Sequence, residues 1–302
     1  MRYVTEYPVE NNEWGEFQRH RQLLGLVSVG GFTTHQELEE LKRLHRTNVA
    51  KYKTGVLDSR LIALNLANKP KDASDNKFED ERDDTSSVSS GGVGNTLVYD
   101  LVGGEWESCL ASDVADFCTA IFWILESKRV EELQKEGKQD KLAFLSAPFE
   151  KKDFVGLDLD SRSNKKRIFG RYRKSLGDLS LLCDRMLEAF KHYEVAAEIL
   201  RSCNDWLWLA SATEGPCAIS TIAQFPDPNT GRFESVRTLH ESVDVLKPTD
   251  VVERYKEIVG HYAKYRQVWT LKPYISLFAL IWKQKAIDVP TSRYKIALFL
   301  SF

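Results

Sequence analysis

Carboxylates that lie close together in a sequence are candidates for binding a divalent cation. Asp153, Asp158 and Asp160 are near enough along the chain to supply oxygen ligands to such an ion. The alternative is a capped turn that leads into a helix near Asn164, since acidic residues are stabilised at helix N-termini. We favour the turn and predict no metal site in this stretch.

Two further patterns associated with catalysis or cofactor binding are incomplete. Residues 91–95, Gly-Gly-Val-Gly-Asn, resemble a phosphate-binding loop but lack its Gly-Lys-Ser/Thr ending, and their composition favours a flexible linker. The six histidines, including His192 and His261, have no partners at the spacing of a metal site or a catalytic triad. We therefore expect a protein that is not an enzyme, with no catalytic residue, no bound metal and no cofactor.

A cluster of basic residues beyond Asn164 suggests anion binding instead. Arg167, Arg171 and Lys174 recur at helical spacing, which predicts a shared helix face. Such a face fits an acidic protein surface or phosphoinositide head groups. The alternative is a solvated helix face whose charges are matched by nearby carboxylates. The candidate interaction patch consists of Lys165, Lys166, Arg167, Arg171 and Lys174.

Composition and charge exclude several classes of protein. The chain has 302 residues, a net charge of −2 and a pI near 6.3, which give no general attraction to nucleic acid or to an anionic membrane. Its five cysteines include no Cys-x-x-Cys pair, which indicates buried thiols in a reducing compartment. The N-terminus lacks a signal peptide, and the longest apolar run, residues 275–282, is too short to span a bilayer. We expect a cytoplasmic protein with no nucleic-acid partner and no transmembrane segment.

The strongest structural pattern, in residues 164–204, is a helical hairpin of the tetratricopeptide type. That repeat has Leu-Gly on its first helix and Ala-x-x-x-aromatic on its second, within about 34 residues. Small residues allow the two helices to approach closely, and large ones fill the space between them. Stacked hairpins form extended protein-binding surfaces, so the pattern predicts a scaffold. The predicted repeat core is Leu176, Gly177, Ala189, Tyr193 and Ala196.

Residues 1–150 read as an α/β domain with a mostly parallel sheet, because strand-like and helix-like segments alternate. Strands are predicted at residues 22–29, ending at Gly30-Gly31, and at residues 60–66, 96–102 and 141–146. Thr33 or Thr34 is expected to cap one helix, and Ser112-Asp113 to open another. Residues 68–95 are predicted to be a disordered loop, since they are almost without apolar side chains.

The fold predicted for the rest of the chain is all-α. Residues 151–266 form a tetratricopeptide-like helical region, the start of an α-solenoid, with an insertion at about residues 224–247. A helix that begins near Asn204-Asp205 is expected to kink or end at Gly215-Pro216, and another begins at Pro248. Residues 267–302 form an atypical tail without a clear period.

Several stretches of the sequence resemble the N-terminal region of the subunit-nine family of the TRAPP vesicle-tethering complex. The similarity runs in order from about Tyr7 to Arg266, and the family is expected to continue beyond both ends, which favours a partial gene model. The stretches that carry it are residues 7–17, 57–61, 148–158, 197–202 and 204–205.

The resemblance implies a non-catalytic scaffold subunit of the TRAPP II assembly. Its implied partners are other TRAPP subunits and, indirectly, Rab-family GTPases and Golgi membranes, with recruitment from the cytoplasm to trans-Golgi or endosomal membranes. One alternative is a signalling adaptor, because the family is also described as binding kinases of the NF-kappa-B pathway. Another is an enzyme that uses the α/β domain.

Overall fold

Three strands and seven helices make up the regular structure of the described residues in this computed structural model. The described residues are 17–19, 22–52, 55–66, 95–100, 106–136, 142–147, 158, 160–224 and 233–263. In chain order the elements are β1 (Gly25–Phe32), α1 (His35–Lys51), β2 (Asp58–Asn65), β3 (Asn95–Asp100), α2 (Trp106–Leu133), α3 (Arg162–Leu182), α4 (Met186–Ser202), α5 (Trp206–Gln224), α6 (Phe233–Ser242) and α7 (Pro248–Ala263).

The chain divides into two units, and one of them is discontinuous in sequence. Leu23–Ile124 forms the α/β unit, while the residues before Leu23 and those from Leu125 onward form the helical unit. This division differs from the predicted boundary at residue 150. The predicted loop at residues 68–95 lies outside the described residues except for Asn95, and the tail at 267–302 lies wholly outside them.

The α/β unit is built on a parallel sheet with the strand order β1-β2-β3, as the alternation of segments predicts. Because successive side chains of a strand point to opposite faces, Gly25 and Gly30 of β1 face different helices. A Cβ at Gly25 would lie 2.6 Å from Ile121 of α2, and one at Gly30 would lie 2.5 Å from Leu41 of α1. The prediction that Gly30-Gly31 ends this strand is therefore wrong, since glycine here allows α1 to approach.

Local capping explains where α1 begins. The side chain of Thr34 accepts a hydrogen bond from the backbone N–H of Glu37 at 3.3 Å, and the Glu37 carboxylate accepts one from the backbone N–H of Thr33 at 2.7 Å. This reciprocal arrangement satisfies N–H groups that have no partner within the helix. The predicted cap is confirmed.

The helical unit is a series of packed helices: α3 packs on α4, α4 on α5, and α5 on α7, while α6 packs mainly on α4. The connections after α3 and α4 have the same form. Asp184 (φ 59°) and Asn204 (φ 56°) are left-handed, and the N–H groups of Arg185 and Asp205 return to the carbonyls of Ser180 and Leu200 at 2.8 and 3.0 Å. Each is a Schellman turn, which ends one helix and reverses the chain into the next.

A predicted strand and one of the two alternatives predicted at Gly215-Pro216, the end of the helix, are wrong. Described residues 142–147 form no strand, because the Leu145 carbonyl is bonded by the Arg171 side chain instead of a strand partner. α5 continues through Pro216 to Gln224, since burial on both sides stabilises it despite the missing N–H. The predicted insertion at 224–247 contains α6, and its residues 225–232 lie outside the described residues.

Candidate interaction site

Two of the carboxylates considered for metal binding, Asp158 and Asp160, lie in a turn. The backbone N–H of Asp160 donates to Asp158 Oδ1 at 3.0 Å, and Asn164 Nδ2 donates to the Asp158 carbonyl at 2.7 Å. Ser161, the N-cap of α3, accepts from the backbone N–H of Asn164 at 3.3 Å. Asp153 lies outside the described residues, which contain no cluster of three or more potential metal ligands.

The two histidines singled out by the sequence have structural partners. His192 Nδ1 lies 3.2 Å from Arg173 Nη1, and burial together with that positive charge lowers the pKa of His192. His261 Nε2 lies 3.2 Å from Glu257 Oε1, and its ring stacks on Trp206 with the centroids 5.1 Å apart. Residues 91–94 of the glycine-rich stretch lie outside the described residues.

The α/β unit contains a serine–histidine pair that no sequence motif reveals. Ser28 Oγ on β1 and His45 Nδ1 on α1 are 2.8 Å apart. His45 is buried, burial lowers its pKa, and its Nε2 has no hydrogen-bond partner in the described part of the chain. Nucleophilic catalysis by such a pair needs a third group that orients the imidazole. The contact between Ser28 and His45 ties α1 to β1.

The candidate basic patch is divided between the surface and the core. Lys165 and Lys166 are exposed near the start of α3, and Arg167 is half-buried. Arg171 and Lys174 are only 3% and 1% exposed. The prediction that these two residues belong to an anion-facing surface is therefore wrong, because residues distant in sequence cover them.

Both buried cations are paired with buried carboxylates. Arg171 Nε donates to Asp205 Oδ2 at 2.7 Å, and Lys174 Nζ donates to Asp178 Oδ2 at 2.7 Å. A buried charge without such a partner would carry a large desolvation penalty. Asp205 immediately precedes α5, and Asp178 lies one turn along α3 from Lys174.

Trp208 of α5 brings the two pairs into one cluster. Its fully buried ring lies with its centroid 4.8 Å from Arg171 Cζ and 5.9 Å from Lys174 Nζ. Phe17 packs edge-on against the same indole, with the centroids 5.0 Å apart and the planes at 82°. The result is a buried, charged and aromatic cluster that joins α3, α5 and the N-terminal segment.

The predicted repeat core lies where α3, α4 and α5 pack together, and Leu176, Ala189, Tyr193 and Ala196 are all buried. A Cβ at Gly177 would lie 2.8 Å from the Tyr193 ring, so the glycine permits this contact. The Tyr193 hydroxyl donates to Asp178 Oδ1 at 2.7 Å, which links the repeat core to Lys174. Burial, and then the Asp178 charge, raise the pKa of Tyr193.

An exposed apolar surface on α2 was missed by sequence reasoning. Phe117, Ile121 and Leu125 recur at every fourth residue and are buried. Phe122 and Trp123 lie on other faces of the helix and are 37% and 62% exposed, with their rings 6.0 Å apart. The two adjacent aromatic residues are the signal in the sequence that could have revealed this surface. A helix that buries one stripe of side chains leaves side chains at other angles around its axis exposed. We call Phe122 and Trp123 the α2 aromatic surface.

Of the helices in the described part of the chain, α2 is also the one with the length and apolar composition needed to cross a membrane. One such helix is weak evidence, since core helices of other proteins pass the same test. Here α2 packs against the sheet through Phe117 and Ile121, and the Tyr99 hydroxyl of β3 donates to Asp113 of the same helix.

The known proteins to which this chain is similar are named as subunits of a trafficking complex. A family model described as the Trs120/TRAPPC9 N-terminal domain matches residues 124–225. Trafficking protein particle complex subunit 9 from Xenopus laevis is 32% identical over 305 residues, covering 87% of this chain and 24% of that protein. Its human counterpart is 31% identical, covering 90% and 25%.

A plant relative shows a shorter similarity. The trafficking protein particle complex II-specific subunit 120 homolog from Arabidopsis thaliana is 35% identical over 100 residues, which cover 33% of this chain and 7% of that protein. The chain thus spans about a quarter of the length of the animal relatives.

Proposed function

The chain carries the N-terminal domain of the Trs120/TRAPPC9 family, and on that basis we propose that it is a non-catalytic scaffold subunit of the TRAPP II vesicle-tethering complex. Its partners are other TRAPP subunits. Through them it supports activation of Rab-family GTPases and vesicle transport at the Golgi, after recruitment from the cytoplasm to trans-Golgi or endosomal membranes. The relatives are named as subunits of a trafficking complex, and these names support the proposed association with other TRAPP subunits.

The α2 aromatic surface is the observation that best supports a role in assembly. Trp123 is 62% exposed and lies beside the partly exposed Phe122. Tryptophan and other aromatic residues are enriched at protein–protein interfaces, where a few of them supply most of the binding energy. We assign this surface to contact with another TRAPP subunit.

The helical unit supports the scaffold part of the proposal. α3 and α4 form a hairpin whose small residues, Gly177 and Ala189, permit close packing, and α5 continues the series through a second turn of the same form. Helices that pack mainly on their neighbours in the sequence are typical of repeat proteins. We propose that α3–α5 begin a tetratricopeptide-like solenoid that continues in the longer relatives.

Affinity purification of the tagged chain from cultured human cells, followed by mass spectrometry, tests the proposal. The unsubstituted chain should recover TRAPP subunits. Trp123→Glu should reduce their recovery by more than about tenfold, because a charge at an aromatic contact removes its binding energy. Ala111→Glu is the matched control, since it places the same charge at an exposed position of the same helix, about three turns from Trp123.

The alternatives give different outcomes in this experiment. Recovery of protein kinases without any TRAPP subunit would favour the signalling adaptor and overturn the tethering role. Equal recovery of TRAPP subunits by the parent chain and Trp123→Glu would leave the family assignment standing and remove the α2 aromatic surface as the contact. Turnover of a nucleotide or acyl substrate by the purified chain, lost in Ser28→Ala, would contradict the non-catalytic proposal.

A further inference from the structure

Strand β1 forms one edge of the parallel sheet, and within the described part of the chain its outer side has no paired strand. β2 lies along its whole inner side. The Leu24 carbonyl at one end and the Phe32 carbonyl at the other accept hydrogen bonds from N–H groups that flank β2, each at 2.8 Å. Backbone groups of successive residues point to opposite sides of a paired strand. The outward N–H and C=O groups are therefore those of Gly25, Val27, Val29 and Gly31.

β1 lacks the features that keep a sheet edge from pairing with another chain. Such edges are usually blunted by charged side chains, by proline or by a bulge. The stretch from Gln22 to Thr34 contains no charged residue and no proline, and the register of β1 on β2 is continuous. Val29 is 61% exposed. The opposite edge strand, β3, is shorter and ends at a charged residue, Asp100. β1 is thus the edge that is open to a further strand.

The outward groups of β1 match those of a second copy of the same strand. In an antiparallel pair, two opposite residues exchange two hydrogen bonds when the backbone groups of both point into the pair. A two-fold axis at Ser28 places Val27 opposite Val29, and it places Gly25 opposite Gly31. An axis at residue 27 or 29 would instead match one of these four residues with a residue outside β1. With the axis at Ser28, every outward group of both copies finds a partner.

We propose that β1 is a dimerisation edge, at which a second copy of this chain adds its own β1 in antiparallel orientation. Val27 and Val29 share a face of the strand, so the dimer contains two cross-strand valine pairs that cover part of the exposed Val29 side chain. Since β1 is uncharged, the contact opposes no like charges. Two-fold contacts of this kind are the commonest form of self-association. The proposal is independent of the tethering complex and of the α2 aromatic surface.

Sedimentation equilibrium of the full-length chain tests the dimer. One pair of strands is smaller than a standard protein–protein interface, so we expect a reversible monomer–dimer equilibrium with a Kd of about 1–100 μM. Val29→Lys should raise this Kd by at least about tenfold, because it removes both valine pairs and puts two ammonium groups near the axis. Val98→Lys is the matched control, since it changes an exposed valine of β3, and it should leave the Kd unchanged.

A second variant tests the backbone contribution. Val29→Pro removes an outward N–H and leaves the hydrogen bonds to β2 in place, so it should also weaken the dimer at least about tenfold. Urea denaturation establishes that each variant is folded, and Val29→Lys decides the outcome if Val29→Pro is not. A parent chain that stays monomeric at about 200 μM would overturn the proposal. So would loss of the dimer in Trp123→Glu together with its retention in Val29→Lys, because the α2 aromatic surface would then be the contact.

Disulfide cross-linking tests the register. All chains carry Cys109→Ser and Cys118→Ser, which remove the two exposed thiols. A mixture of Val27→Cys and Val29→Cys chains should form a covalent dimer on oxidation, because opposite residues of a hydrogen-bonded pair have Cα atoms about 5.5 Å apart. Either variant alone should cross-link at least about tenfold more slowly, since its two cysteines lie more than about 7 Å apart. Equal rates in the mixture and in the separate variants would overturn the proposed antiparallel pairing.

Discussion

Tyr193 is the residue at which three helices meet. A Cβ at Gly177 of α3 or at Gly215 of α5 would lie 2.8 or 2.4 Å from the Tyr193 ring on α4. Both distances are too short for a real contact, so glycine at these two positions makes room for the phenol. Gly215, which the sequence suggested as a helix terminus, thus has a packing role.

Substitution at Tyr193 should separate packing from hydrogen bonding. Tyr193→Ala should lower the free energy of unfolding by about 3–5 kcal/mol, as truncation of a buried aromatic does. Tyr193→Phe should cost about 1–3 kcal/mol, because the buried Asp178 carboxylate loses one of its two donors. Urea denaturation measures both. A Tyr193→Ala variant that unfolds at the same urea concentration as the parent would contradict the packing described for α3–α5.

His45 should make the stability of the α/β unit sensitive to acid. Burial lowers its pKa in the folded state below the ordinary value of about 6.5. At higher pH the imidazole is neutral in both states and contributes nothing. As the pH falls below about 6.5, the unfolded state binds a proton that the folded state does not, so stability is lost down to the folded pKa.

Chemical denaturation between about pH 7.5 and pH 5.5 tests this sign. The parent chain should lose stability toward the acid end, and His45→Asn should lose less because it cannot titrate. His192→Asn is a useful comparison, since burial also lowers the pKa of His192 in the helical unit. An identical slope in the parent and His45→Asn would show that another group is responsible.

At the scale of elements, two matching turns shape the helical unit. Asp184 and Asn204 follow Cys183 and Cys203, which end α3 and α4, and both have a positive φ. A left-handed residue at this position lets its own N–H group and that of the following residue reach back to helix carbonyls. Because asparagine and aspartate tolerate this conformation better than most residues, the repeated Cys-Asp and Cys-Asn pairs are the sequence signal of the two turns.

Substitutions at Asn204 should distinguish a backbone requirement from a side-chain contact. Asn204→Ala should lower stability by about 1–2 kcal/mol, because a Cβ-bearing residue without a local hydrogen bond is strained in the left-handed region. Asn204→Gly should change it by less than about 1 kcal/mol, since glycine adopts the conformation freely. The two variants are compared by urea denaturation. A Gly variant as destabilised as the Ala variant would point to the side chain instead.

The sequence predicted regular elements well and their ends less well. The parallel sheet, the Thr34 cap, the α3–α4 hairpin and the helix from Pro248 follow from local patterns of polarity and capping. Residues 142–147 and the path of α5 through Pro216 depend on partners elsewhere in the chain. Local secondary-structure propensity takes no account of the hydrogen bond from Arg171 to the Leu145 carbonyl, or of the burial of α5 on both sides.

At the scale of the whole molecule, the features hardest to predict are contacts between distant residues. Phe17 and Lys174 are 157 positions apart, and no periodic pattern relates them. Their contact makes the N-terminal segment part of the helical unit, so a boundary read from composition at residue 150 misses it. The same contact involves Lys174, which is buried although lysine is a residue type that is usually exposed.

The five cysteines provide a test of the fold as a whole. Cys109 and Cys118 are exposed on α2, whereas Cys183, Cys203 and Cys217 are buried in the helical unit. Burial raises the pKa of all three buried thiols, to about 12 for Cys183 and Cys217, which further suppresses the reactive thiolate. A thiol reagent such as Ellman's should therefore modify two cysteines of the native chain quickly.

The remaining three thiols should react only when the helical unit opens, and at one common rate, since they lie at the end of α3, at the end of α4 and within α5. Mass spectrometry of the modified peptides identifies each site. Cys109→Ser with Cys118→Ser is the control, and it should leave no rapidly reacting thiol. Rapid modification of Cys203 alone would show that α4 and α5 separate at their shared turn, whereas rapid modification of all three would contradict the packing of the helical unit.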